Sequence, residues 1–285
     1  MSNFRVHFFK EKTREIDILT VINFFKNELN FDVYMDEKIA KFSFKHNHLK
    51  YPFEICITPK STVPDLYRLS PIYLDVNMHA NISLFTPSYI IKEFFKIIEI
   101  LTKKFDLQIY HEIFEDVQKF KNDLLVNSFK IIKNAYIKKN QQESEKFHFF
   151  ETKKLFYILK YLNDLDDLRE YYNKEDISIS DYIFYPSNEK FFVGFLVEKL
   201  DTAFIIPPQI NLLGIKLKNN IVYFSFEEID RKIKSIMEKV PGTVEGTMKI
   251  PKKYSAKFLN LLRKNHKILD IDSNLKVGIN KITDY

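Results

Sequence analysis

From Leu74 to Leu84 an apolar residue occupies every second position: Leu74, Val76, Met78, Ala80, Ile82 and Leu84. Asp75, Asn77, His79, Asn81 and Ser83 lie between them. Successive side chains of a strand point to opposite faces, so the run predicts a long strand with one buried and one wet face. Such a strand suits a mixed or antiparallel sheet. The period then lengthens. Thr86 is the expected helix cap and Pro87 the expected first helical residue. Ile90, Phe94, Ile97, Ile98, Leu101 and Phe105 recur at intervals of three and four. That spacing predicts an amphipathic helix lying on the sheet. A short strand, Leu107 to Tyr110, closes the unit.

The same two periods sort the flanking chain. Phe4 to Phe9 reads as a strand. Asp17 is placed to cap a helix whose buried stripe is Ile18, Val21, Ile22, Phe25 and Leu29. Strands follow at 31–35, 39–44 and 53–58, and a helix from Asn122 or Asp123 runs through Leu125, Phe129, Ile132 and Tyr136. The order β-α-β-β-β, then β-α-β-α, predicts an α+β domain over residues 1–138, with a ferredoxin-like arrangement as one form it can take. Lys138 to Lys146 contains no apolar residue and is the expected boundary. Residues 139–175 read as a polar linker and helical connector, carrying Leu155, Leu159, Leu162 and Leu168 and breaking near Asn163-Asp164.

Residues 176–285 read as a second α+β domain with a basic C-terminal part. Its strands are expected at 182–185, 191–197, 203–206, 212–217 and 221–226. A helix at 227–239, a helix from Ser255 and a last strand near 276–279 complete it. Asn219-Asn220 suits a hairpin turn, and Pro207-Pro208 should end the Ala203 strand at a sheet edge. The predicted fold class is therefore α+β: two α/β-sandwich-like domains with mixed or antiparallel sheets, joined by a helical connector.

Composition narrows the chemistry. Apolar residues make up 45% of the 285, with 28 Phe and 16 Tyr, enough for two cores. The one cysteine excludes an intramolecular disulfide and a multi-cysteine metal site, and suits a reducing, cytoplasmic setting. Cys56 lies in the apolar run 53–57 and reads as core. Nowhere do about 18 apolar residues run on without charge, so no transmembrane segment is expected. The charged N-terminal stretch argues against a secretory leader. All five glycines fall after residue 193, and none sits in a phosphate-binding loop. His46 and His48 could begin a zinc site but lack a third ligand at motif spacing. Asp164, Asp166 and Asp167, like Asp270 and Asp272, do not match a calcium loop and read as caps or turns. No catalytic, cofactor or metal residue is assigned, and no cofactor is expected.

The net charge of +6 is unevenly placed. Residues 231–285 hold 13 Lys and Arg against 5 Asp and Glu. Lys249, Lys252, Lys253, Lys257, Arg263, Lys264 and Lys267 fall in one stretch without an acid, and form the candidate anion- or nucleic-acid-binding segment. Abundant Lys beside abundant Phe, Ile, Asn and Tyr also follows from an AT-rich genome. Three readings stay open. The leading one is a binding or scaffold protein acting through a protein partner. The others are a nucleic-acid-associated protein using the basic segment, and an enzyme whose site is assembled from scattered residues.

Overall fold

The computed structural model describes residues 3–14, 16–29, 31–187, 190–217, 220–263 and 268–285. By its internal contacts the chain divides into Met1–Phe149 with Thr283–Tyr285, and Phe150–Ile282. Helices and several mixed or antiparallel sheets make the fold α+β.

The first unit runs β1 (Asn3–Glu11), α1 (Ile18–Asn27), β2 (Asp32–Met35), β3 (Ala40–Ser43), β4 (Phe53–Ile57), β5 (Tyr73–Ser83), α2 (Ser88–Phe105), β6 (Gln108–Tyr110), α3 (Asn122–Lys139), α4 (Gln141–Ser144) and β7 (His148–Phe150). Six strands form one sheet in the order β2-β3-β4-β5-β1-β6, each neighbouring pair antiparallel. Asp17 caps α1 by accepting from the Leu19 and Thr20 amides. Phenylalanine fills the space between sheet and helices. Phe53 stacks on Phe94 at 4.5 Å and Phe25 on Phe42 at 4.4 Å. Phe4 meets Phe129 edge-on at 5.4 Å. Rings at these separations add offset-stacked and edge-to-face attraction to the burial of area.

Strand β5 keeps the predicted alternation only in part. Met78, Ala80 and Ile82 are buried against the helices, and Leu84 beyond them is buried too. Between Phe8 and Phe9 of β1 the pairing jumps from Met78 to Asp75. Val76 and Asn77 are thus extra residues in β5, and Asn77 takes a left-handed φ of 56°. Such a bulge bends and twists the strand. Past it Leu74 is exposed and Asp75 buried, the reverse of the sequence expectation. The polar face is also less wet than expected. His79 is buried, its ring 5.6 Å from that of His7, and Ser61 donates to Asp75 from the connection after β4.

The cap of α2 differs too. Pro87, not Thr86, is the N-cap, and it offers no side-chain bond. The carboxylate of Asp284 supplies that bond, accepting from the Ser88 amide at 3.1 Å. Asp284 also accepts from Lys133 Nζ at 2.8 Å, and both side chains are almost fully buried. The same ammonium donates to Thr283 Oγ1 and to the Thr86 carbonyl. The run 138–146, expected as linker, is helical at α4. There Asn140 and Ser144 bond back to carbonyls one turn earlier, and Tyr136 meets Glu143.

The second unit runs α5 (Thr152–Asn163), α6 (Leu165–Tyr171), β8 (Ile177–Ser178), β9 (Tyr182–Tyr185), β10 (Phe192–Val197), β11 (Ala203–Ile206), β12 (Leu212–Leu217), β13 (Asn220–Ser225), α7 (Phe226–Ile233), β14 (Glu238–Lys239), β15 (Met248–Ile250), α8 (Ser255–Arg263) and β16 (Ile268–Leu269). The chain ends in β17 (Ile282–Asp284), which pairs with β7. One sheet has the order β16-β13-β12-β10-β9 and a second the order β14-β15-β11-β8. Phe195, Phe204, Leu213, Ile229, Ile233 and Phe258 share one core. Gly194 lets β10 approach β12, since a Cβ there would stand 2.8 Å from the Leu212 carbonyl oxygen.

Several expectations need correction. Strand β11 is internal, between β15 and β8, because Pro207 and Pro208 fall just past its end and cost it no ladder bond. The helix expected to Lys239 stops at Ile233 and passes through a 3₁₀ turn into β14. The last strand is at 282–284, not 276–279. Half of the Asn219-Asn220 turn lies outside the described residues. No helix among the described residues is long and apolar enough to cross a membrane.

Candidate functional site

The described residues of the basic segment are spread over β15, the 3₁₀ turn that follows it and α8. Lys249 lies on β15, opposite Glu238 of β14, with its ammonium 5.6 Å from the centroid of the Tyr172 ring. Lys252 pairs with Asp176 at 3.1 Å and Lys253 with Glu238 at 3.6 Å. Such exposed pairs contribute little stability, about 0–1 kcal/mol, but they reduce the charge offered to an anion. Lys257 and Arg263 are exposed on α8, six residues and therefore about 120° apart around the helix. Lys264 and Lys267 lie outside the described residues.

A cleft near this segment is lined by residues that the sequence marked only as a helix break, or did not mark at all. Helix α5 ends at Asp164, which is also the residue before α6. The break turns α6 so that Tyr171 and Tyr172 stand at its end with ring centroids 4.8 Å apart and planes at 87°. Tyr161, buried on α5, donates its hydroxyl to the Ser180 carbonyl at 3.5 Å. These rings face the connection from β14 to β15. Gly242 there takes φ 74°, a conformation other residues disfavour, and Thr243 donates to the Val240 carbonyl at 2.7 Å. Between the two walls is a cleft of about 480 Å³. Pockets of roughly 300–1,000 Å³ commonly hold small ligands or single side chains of a partner.

The lining is apolar and aromatic, from Leu168, Val240, Pro241 and the tyrosines, with two carboxylates, Asp164 and Asp167. Among the described residues no lysine or arginine lines it. Asp164 accepts from Lys160 Nζ at 3.2 Å and from Asn163 Nδ2 at 3.0 Å. Asp167 has no ion pair among the described residues. Tyr171 is 78% exposed, whereas Tyr172 is buried. Burial raises the Tyr172 phenol above its ordinary range, with Glu175 and Tyr171 adding to the effect. The cleft therefore offers ring faces, apolar walls and carboxylate oxygens. Among the described residues that line it there is no Cys, His, Ser or Lys.

In the first unit, Cys56 of β4 lies opposite His79 of β5, and the Asn81 amide donates to its sulfur at 3.7 Å. Arg5 donates to the Asn81 carbonyl at 3.0 Å. These are the residue types of a thiol nucleophile, but the environment opposes activation. Burial, then Glu54, pushes the thiol up, and burial with Arg5 pushes His79 down to about 4. A reactive cysteine needs the opposite shifts. His46 is a turn acceptor, its Nδ1 receiving the amides of His48 and Leu49. Among the described residues no three His, Cys, Asp or Glu side chains are grouped to hold a metal ion. Asp272 caps a 3₁₀ turn through the Asn274 amide.

The aspartates at 164–167 were legible as a helix break, but not as one wall of a cleft. The available cue was Tyr171-Tyr172. Two consecutive large aromatics cannot both face the core from one helix end. No family model matches the chain, and no curated protein or solved structure matches it.

Proposed function

We propose that this is a binding protein that engages a protein partner through the tyrosine-lined cleft of the second unit. The observation that carries the reading is the cleft itself: largely apolar and aromatic, and bounded by α6 and the β14–β15 connection. Exposed tyrosine is well suited to this work. It presents a large rigid face at low entropic cost and retains a polar handle.

The finer architecture belongs to the same proposal. The first unit is read as a ferredoxin-like domain: β5, α2 and β6 form a split β-α-β around β1, and the β2–β3 hairpin extends the sheet beyond β4. That fold implies no activity by itself. The second unit is read as a separate α/β-sandwich-like domain. A cytoplasmic setting is supported by the single, buried thiol.

Affinity capture from lysate of the native host tests the function. The baits are the full chain and its Tyr171→Ala variant, each with and without nuclease. A polypeptide retained by the first, lost from the second and indifferent to nuclease is the expected result. Partners that vanish with nuclease and ignore Tyr171 would instead place binding on the basic segment. Turnover of a bound small molecule would favour an assembled enzyme site.

A further inference from the structure

Taking the cleft as the binding site, we propose that its ligand group is a cation: the guanidinium or ammonium of a basic side chain on the partner protein. The inference deepens the reading above and rests on it. Three observations support it. First, the cleft has a charge opposite to that of the chain. In a protein with 44 Lys and Arg, the described residues that line this space include two carboxylates and no Lys or Arg, although Lys160 pairs with Asp164 from outside the lining. Asp167 is exposed at its edge and has no ion pair among the described residues, so its charge is available.

Second, the rings present the surface that cations prefer. The face of an aromatic ring carries the negative end of its quadrupole, and a cation within about 6 Å of the centroid is attracted to it. Tyr171 and Tyr172, with centroids 4.8 Å apart and planes at 87°, both line the cleft. Third, the chain already uses one of these rings in this way, since Lys249 holds its ammonium 5.6 Å from the Tyr172 centroid. Lys249 does not line the cleft, but its positive charge lies beside one of the lining rings. A cationic ligand would gain from its removal, and an anionic ligand would lose. The aliphatic part of an arginine or lysine would lie on Leu168, Val240 and Pro241, which suits side chains that bury their stems and keep the charge at a polar rim.

The test uses the full chain and an acetylated, amidated tripeptide with a central arginine. The control is the same tripeptide with citrulline, which keeps the shape and loses the charge. Binding is followed by NMR shifts of backbone amides at 164–172 and 240–244. We expect saturable shifts with arginine at millimolar concentration and none with citrulline. Tyr171→Ala and Asp167→Asn should each weaken binding about two- to fivefold, the scale of one partly exposed cation–π or ion contact. Lys249→Ala should strengthen it. Equal binding of arginine and citrulline, weakening by Lys249→Ala, or no shifts at 164–172 and 240–244 would each overturn the cation. Such failures leave the capture experiment with Tyr171→Ala standing, so the two readings fall separately.

Discussion

Among single residues, Lys133 and Asp284 carry the largest stakes. Their charges meet at 2.8 Å with 4% and 2% of the side chains exposed. Burial, the larger effect, pulls the lysine below its ordinary range, and Asp284 offsets only part of that shift. Removing one partner of a buried pair leaves the other uncompensated, at a cost of about 3–5 kcal/mol. Lys133→Met should therefore lower the urea-unfolding free energy by that amount. The double variant Lys133→Met, Asp284→Asn should lose less than the sum of the two single losses, because Asn can still accept from Ser88 and no charge is stranded. Additive losses would show that the residues act independently. The buried histidines set a second expectation. Burial first, then neighbouring positive charge, holds His7 at about 3; burial also holds His79 and His111 at about 4. In the unfolded chain each titrates near 6.5. Between those values the unfolded state binds more protons, so stability is full above pH 6.5 and falls as pH drops toward 4. The expected slope is about 1.4 kcal/mol per pH unit for each histidine. His79→Gln should flatten the measured dependence by one such share. An unchanged slope would mean that the ring protonates freely in the folded state.

At the scale of elements, the bulge in β5 decides which side chains meet the core. Asn77 sits there at φ 56°, where a β-branched residue is strained. Asn77→Val should cost about 1–2 kcal/mol, and Asn77→Gly should be nearly neutral. Urea midpoints for the two variants check this, and equal midpoints would refute it. The bulge also marks where sequence reasoning stops working. From Met78 to Ile82 the pairing is regular, and Met78, Ala80 and Ile82 share the buried face that their spacing predicts, although His79 between them is buried as well. At Val76 and Asn77 the partner strand skips two positions, and no local pattern announces that skip. The helices were legible for a similar reason, since their stripes depend on neighbours within one turn. Caps were legible when local, as at Asp17, and not when the capping group comes from Asp284. The cleft belongs with the second kind. Its walls, α6 and the β14–β15 connection, are far apart in sequence, and periodicity carries no information about such a meeting.

At the scale of the whole molecule, the two units draw differently on the chain. The second is made of one continuous stretch, Phe150–Ile282, and the first needs Thr283–Tyr285 in addition to Met1–Phe149. Expressed alone, residues 150–282 should keep a cooperative urea transition. Residues 1–149 should lose about 3–5 kcal/mol, since Lys133 then has no counter-charge. Hydrogen exchange at the start of α2 should rise in that fragment, where the Ser88 amide has lost its acceptor. A fragment 1–149 as protected as the full chain would contradict this. The tie also inverts an order. On the ribosome Lys133 emerges 151 positions ahead of Asp284. While the intervening residues are being translated, the nascent first unit carries an ammonium with nowhere to go but water. The stretch made later can close first, and the stretch made earlier is completed last.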